Sequence, residues 1–360
     1  MLNLLRIILL ICFILTSISI NAQSGGFQLV KVKEGIYVAI QNENSFIAVD
    51  GNSVIIINEE DVVVVDSRLL PSAAAELVRE IRKLTDKPVR FLINTHAHDD
   101  HVWGNETFKM NYPAVEIISH PKTRLYLETT GIPMLKTFIE KTTPEYVKSV
   151  DAALATNKGS NGEPLNEETR TRFIKFKKEY LQIAAEWKNM KPVLPTMTIE
   201  TELILMRGKR QIKIMHLGRG NSDGDLAVYL PQDKVLIMGD LLVSPIPYSF
   251  GSYLSEWVQT LNKLKAFEAD FIIPGHGAVQ KDKQYLELVS ALLDSTVKQT
   301  QTAVLKGLTL EETRKTIDLE SFRLKFAGDD KVLNAAFINS FLNPAVVRAY
   351  KEAKGEIEKD

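Results

Sequence analysis

Residues Asn94 to His101, NTHAHDDH, hold three of the chain's six histidines and two aspartates within eight positions. Imidazole and carboxylate are the ligands zinc takes where thiolate is absent. In an extended segment side chains two apart point the same way, so His96 and His98 can close on one ion. Asp100 and His101, at the turn that follows, can then reach a second. A solvated polar loop gives no reason for five ligand-type residues among the six from His96 to His101. One loop supplies only part of a two-metal site, so further ligands are expected at the ends of later strands. Asp240, in MGD after the run KVLIM, and His276, in PGHG after DFII, meet that expectation. Each has a neighbouring glycine that lets the backbone approach closely.

The elements around these residues must hold them rigidly and leave them open. β-branched runs alternate with turn signals from Phe27 onward: VKVKEGIYVAI, SFIAVD, and SVIIINEEDVVVVDS, in which Asn58 to Asp61 turn a hairpin. Runs this continuously apolar predict a sheet covered on both faces. After Pro71, the spacing of Ala74, Leu77, Ile81 and Leu84 predicts a helix. The strand VRFLIN then delivers the chain into the histidine loop. A second strand set follows: TELILM, QIKIMHLG, DLAVYL, KVLIMGD and DFIIPGHG. Between the sets lies a helical insertion, about residues 122 to 191, split by NKGSNGEP. Its stripe Phe173, Phe176, Tyr180, Ile183 and Trp187 reads as packing or as the inner wall of a substrate channel. Beyond Gln280 the pattern is helical, with Thr309 and Glu312 forming a capping box and Asn343-Pro344 opening a helix.

The first residues place Arg6 before an apolar run from Ile7 to Leu15 and a small-residue exit at Asn21-Ala22, the layout of a secretory signal peptide cleaved after Ala22. The expected location is therefore periplasmic or extracellular, with no membrane attachment after cleavage. Cys12, the sole cysteine, would leave with that segment, which excludes disulfides, a cysteine nucleophile and thiolate ligands. Forty-four basic and 45 acidic side chains, without a long run of either sign, give no electrostatic footprint for nucleic acid.

THAHDDH, the later GD and the PGHG turn resemble the motifs of the metallo-β-lactamase superfamily, from roughly Phe27 to Ser290. The resemblance implies an α+β fold: a four-layer αββα sandwich over residues 23–290, carrying the helical insertion and followed by a C-terminal helical extension over 291–360. It implies one or two zinc ions per chain. His96 and His98 would serve the first site, Asp100, His101 and His276 the second, and Asp240 would bridge them. Asp66, ending VVVVD, matches the aspartate that braces the histidine loop in that family. The chain departs from the pattern in GRGNSDGD, where Asn221 stands in place of the family's remaining first-site histidine. An amide oxygen is a poorer zinc ligand than imidazole, so the first site should bind metal weakly or differently. Asn221 could coordinate through oxygen, bond to a metal-bound water, or leave the second site to work alone. His216 could substitute as a ligand or be a packed histidine, and His120 reads as structural.

Zinc brings the pKa of bound water from about 16 towards 7, which makes hydroxide available for attack on an ester, lactone, thioester or amide. Asp100 would orient that nucleophile, and Tyr248 or Tyr253, in SPIPYSFGSY, could donate to the oxyanion or simply pack. Arg219 could bind an anionic substrate or cap a carbonyl. A β-lactam is a possible amide substrate. The best-known zinc β-lactamases, however, carry cysteine at the position of Asp240 and a substrate-gripping lysine at the position of Val243. The alternatives are a phosphodiesterase and a non-catalytic metal- or ligand-binding protein.

Overall fold

The computed structural model describes residues 26–42, 49–159 and 162–357. The expected leader with Cys12, and Ser45 to Ala48 of the SFIAVD run, lie outside them.

Seven strands form the first sheet in the order β1 (Phe27–Lys33), β2 (Ile36–Gln41), β3 (Ser53–Ile57), β4 (Val62–Val65), β5 (Val89–Ile93), β6 (Glu116–Ser119) and β7 (Met197–Thr198). β1 to β4 pair antiparallel, and β4 to β7 are parallel. The expected hairpin closes at Asn58, whose N–H donates to the Asp61 carbonyl at 2.8 Å. The second sheet contains β8 (Glu202–Arg207), β9 (Arg210–Met215), β10 (Ala227–Leu230), β11 (Val235–Val243) and β12 (Phe271–His276), in the spatial order β12-β11-β10-β9-β8.

Four layers follow from what each face buries. In β4, Val63 and Val65 point into the apolar layer between the sheets with Ile212, Ile214, Val228 and Ile237. Val62 and Val64 point the opposite way, against Leu77, Val78 and Ile81 of helix Pro71–Leu84. A strand buried on both faces must be apolar at every position, which is why VVVV is continuous. The second sheet's outer face packs Leu236, Met238 and Ile272 against helices Leu254–Leu264 and Gln284–Leu305.

Helix Gln284–Leu305 passes through residue 290 without a break and contributes Leu286, Val289, Leu292 and Leu293 to one core. The boundary expected there falls inside this helix, so the extension is not separated from the sandwich by a linker. A second correction concerns Asn343-Pro344. Chain already helical at Phe337–Leu342 runs directly into helix Asn343–Ala353, so the pair opens no new helix. Three π-helical turns, Leu127–Gly131, Phe138–Thr142 and Phe337–Leu342, each precede a proline by two residues: Pro133, Pro144 and Pro344. Proline cannot donate to the carbonyl four residues back and its ring crowds that carbonyl, so the helix widens locally instead of ending.

Candidate metal centre

β5 ends at Ile93, and the histidine loop leaves it at the sheet edge. Asn94 anchors the loop by donating to the His101 carbonyl at 3.2 Å and to Asn105 Oδ1 at 3.0 Å. Asp99–Val102 then form one helical turn that aims Asp100 and His101 back toward the sheet. Asp240 corrects an expectation, because it does not follow a strand. β11 continues through it to Val243, with Gly239 at φ 51° and a register irregularity on either side. This glycine bulge turns Asp240 into the site. A Cβ at Gly239 would lie 2.7 Å from the Thr95 side chain, and one at Gly275 would lie 2.0 Å from Asp240 Oδ1. Glycine is required at both because strand and ligand approach at backbone distance. His276 is the last residue of β12.

These three segments converge. Asp240 Oδ2 is 3.5 Å from His96 Nε2 and 3.7 Å from His98 Nδ1, while Asp240 Oδ1 is 3.4 Å from His101 and 3.5 Å from His276. Asp100 Oδ2 stands 3.1 Å from His276 Nε2 and 3.6 Å from His101 Nε2. Among the described residues two groups could each hold an ion, His96 with His101 and Asp240, and Asp100 with His101 and His276, so His101 is common to both and His98 belongs to neither. Ligands bonded to one zinc at 2.0–2.1 Å in a tetrahedron are separated by about 3.3–3.4 Å, the scale of these contacts.

The buried oxygens Asp100 Oδ2, Asp240 Oδ1 and Asn221 Oδ1 have no aligned hydrogen-bond donor. Buried acceptors are rarely left so, and Asp100 Oδ2 and Asp240 Oδ1, each 3.1–3.6 Å from two imidazole nitrogens, fit a bound cation. Asn221 is buried, and its Nδ2 donates to the Tyr248 carbonyl at 2.7 Å, which leaves Oδ1 as the end without a partner.

Buried side chains behind the loop orient the imidazoles. Asp66 receives the Thr95 N–H and the Thr95 hydroxyl, each at 2.8 Å, and pairs with His101 Nδ1 at 2.8 Å, presenting Nε2 to the site. Thr95 Oγ1 lies 3.0 Å from His96 Nδ1 and acts likewise. Behind the loop Arg68, fully buried, pairs with Asp50 at 2.8 Å and donates to the Gly51 carbonyl at 2.7 Å. Gly51 in turn faces the His101 ring, which a Cβ there would meet at 2.5 Å.

In the metal-free protein, protons take part of a cation's place. Burial opposes charge on His101, but Asp100, Asp240 and Asp66 outweigh it and raise the imidazole to about 10. His276 is raised against the same burial penalty by Asp240 and Asp100. Burial and the His101 charge depress His96 to about 4. Despite burial, the surrounding imidazoles hold Asp100 and Asp240 below the usual carboxylate range. Asp225, four residues past Asn221 and unnoticed in the sequence, is pushed to about 7 by burial, although its Oδ2 accepts the Ser222 N–H at 2.7 Å. Burial and Asp100 raise Asp99 to about 6.

The remaining candidates separate clearly. His216 stacks on His120 at 4.2 Å and bonds the Asp225 carbonyl at 2.9 Å, so it packs and joins neither ligand group. Arg219 grips Glu256 through Nε at 2.9 Å and Nη2 at 2.5 Å and stacks 4.0 Å above Tyr253, which commits its guanidinium to structure. Tyr253, with Arg348 5.1 Å from the same ring, is likewise a packing residue. Tyr248 faces the site, its ring 5.8 Å from His98 and edge-on.

The centre opens into a cavity of about 1180 Å3. Tyr126, Met134 and Phe176 of the insertion, Ile246 and Phe250 of the loop after β11, and Leu333 and Ala336 of the extension supply apolar wall. Lys175 is the single lysine or arginine among the described lining residues, against Asp50, Asp99, Asp100, Asp223 and Asp240. Of the aromatic stripe, Phe176 lines the cavity, whereas Ile183 and Trp187 pack beneath it with Trp103, so both readings of that stripe apply to different residues.

The family model described as the metallo-beta-lactamase superfamily matches residues 47–276. A linear primary-alkylsulfatase from Pseudomonas sp. is 24% identical over 272 residues, 72% of this chain but 48% of the alkylsulfatase, so the match spans about half of that relative. A type 2 metallo-beta-lactamase from Bacillus cereus is 23% identical over 238 residues, 64% of this chain and 69% of its own. Among solved structures, an inverting sec-alkylsulfatase from Pseudomonas sp. superposes with TM-score 0.62 at 16% identity, covering 90% of this chain and 50% of its own. A metallo-beta-lactamase from Pontibacter korlensis superposes with TM-score 0.53 at 17% identity, covering 74% and 99%.

Proposed function

Given that this chain belongs to the metallo-β-lactamase superfamily, we propose that it is an exported zinc hydrolase. Its substrate is a small molecule with a sizeable apolar part, cleaved at an ester, lactone, thioester or amide bond. The observation that carries this reading is the convergence of His96, His98, Asp100, His101, Asp240 and His276 at contacts of 3.1–3.7 Å around buried carboxylate oxygens that have no aligned donor.

Zinc bound there lowers the pKa of water and polarises the bond under attack. Asp100, held ionised by the surrounding imidazoles, would ligate the second ion through Oδ2 and orient the attacking water. Asn221 Oδ1 completes the first site as a weak oxygen ligand or acceptor. Burial together with Asp100 and Asp240 raises the Tyr248 hydroxyl above its ordinary value, so it keeps its proton and can donate to a developing oxyanion. The apolar wall binds the non-reacting part of the substrate and keeps water from its flanks. A β-lactam fits less well, because apolar Val243 stands where zinc β-lactamases hold a lysine.

A second reading, sulfate-ester cleavage, is favoured by the superposition of 90% of this chain on half of a sec-alkylsulfatase. Residues 23–290 make up only about three quarters of the chain, so that likeness extends into the helices that contribute Leu333, Ala336 and Ser340 to the cavity. The scarcity of lining cations weighs against it, since a sulfate needs charge beyond the metals.

Protein starting at Gln23 should be assayed with and without chelator on a chromogenic cephalosporin, a lactone, an aryl thioester, a bis-aryl phosphate and an alkyl sulfate. Chelator-sensitive turnover of a carboxyl-derived substrate, abolished by Asp100→Ala, supports the first reading. Turnover confined to the sulfate transfers support to the second. Turnover of the phosphate alone, or of none, overturns both.

A further inference from the structure

The Tyr248–Ser249 peptide links Asn221 to the C-terminal helices. Its carbonyl accepts from Asn221 Nδ2 at 2.7 Å, and its N–H donates to the Ser340 carbonyl at 3.0 Å. A trans peptide is planar, with its two polar ends opposed, so fixing one end fixes the direction of the other. Ser340 belongs to the π-helical turn Phe337–Leu342, and Pro344, four residues later, has no N–H to offer its carbonyl. The Ser249 hydroxyl adds a bond to the next carbonyl, Phe341, at 2.8 Å, and Ser249 is fully buried.

We propose that Ser249 is a positioning residue: by clamping the 248–249 peptide on the π turn, it holds the oxygen of Asn221, and not the nitrogen, toward the first metal site. This role for Ser249 rests on the metal reading above. The two ends of an amide have almost the same shape, but only oxygen can face a cation favourably. The Tyr248 carbonyl takes the donor end, so the nitrogen turns to it and the oxygen is left as the buried end without a donor. A histidine there would be oriented instead by whatever bonded its other ring nitrogen, as Asp66 does for His101. Asparagine at position 221 therefore makes first-site affinity depend on a contact supplied by the C-terminal extension.

The test uses the wild-type protein, Ser249→Ala, Asn221→Ala and the double variant, each titrated with cobalt(II) while the visible spectrum separates the two sites. Ser249→Ala is expected to lower first-site affinity roughly 3- to 10-fold, the value of one hydrogen bond, and to leave the second site unchanged. In the Asn221→Ala background the same change should have no effect. Pro344→Ala, which restores a competing helical N–H to Ser340, should act in the same direction with the helix intact. In metal-free protein labelled with 15N-asparagine, the Asn221 side-chain amide should exchange slowly with solvent, and Ser249→Ala should remove that protection. Unchanged affinity and unchanged exchange in Ser249→Ala, or an equal loss without Asn221, overturns the proposal. Wild-type protein that takes up no cobalt would defeat the metal reading, while the amide exchange would still decide the clamp.

Discussion

Asp66 serves three bonds with one carboxylate, to the Thr95 N–H, the Thr95 hydroxyl and His101, from a backbone at φ 61°. Asparagine tolerates that left-handed conformation. Asp66→Asn should therefore fold while losing the charge that orients the imidazole. Zinc affinity measured by competition with a chelator is expected to fall 10–100-fold. Asp225 carries a pH signature instead. Its folded pKa of about 7 lies above the ordinary carboxylate value, so between roughly pH 4 and 7 the metal-free folded state holds a proton that the unfolded chain has released. Unfolding free energy from this residue must decline as pH rises through that window and level off above it. Asp225→Asn should flatten the slope and stabilise the metal-free protein at pH 8 by about 1–4 kcal/mol, read from urea melts across pH. The candidate ligands were legible in the sequence because few side chains bind zinc and four of the six fall between His96 and His101. Asp225 and Arg68 were not, since their importance comes from burial, and burial is set by elements distant in the chain.

At the scale of elements, strand identity was legible wherever a run was apolar at every position, as in VVVV and VLIM. What did not show was continuation. β11 carries on through Gly239 because positive φ at a glycine bends a strand without ending its pairing. The pair Asn343-Pro344 lies within a continuing helix because the π turn absorbs proline's missing donor. Both misreadings share a cause, a local breaker that tertiary packing overrides. The bulge also yields a prediction. Gly239→Ala places a Cβ 2.7 Å from the Thr95 side chain at φ 51°, so β11 must shift and take Asp240 with it. A loss of about 1–3 kcal/mol in stability is expected, together with loss of zinc from both sites, since Asp240 faces both. Metal analysis beside a thermal melt separates this from unfolding alone.

Taken whole, the sandwich brings the ligands to one edge, and the insertion and extension wall the space above them. That the extension covers the cavity could not be read from its own helical pattern, because a helix's partner is not written in its periodicity. The site's charge gives a whole-molecule prediction. His101 at about 10 is protonated at neutral pH in the metal-free protein, and zinc needs the imidazole neutral, so binding must expel at least that proton. Apparent zinc affinity should rise about tenfold per pH unit per proton released between pH 6 and 8, and calorimetry in buffers of different ionisation enthalpy counts those protons. The most direct measurement is anomalous diffraction at the zinc edge from crystals of zinc-loaded protein. The account predicts a strong peak within bonding distance of Asp100, His101, Asp240 and His276, with a weaker one beside His96, His98 and Asn221. Crystals showing no anomalous peak at those side chains, or zinc bound elsewhere, would contradict it.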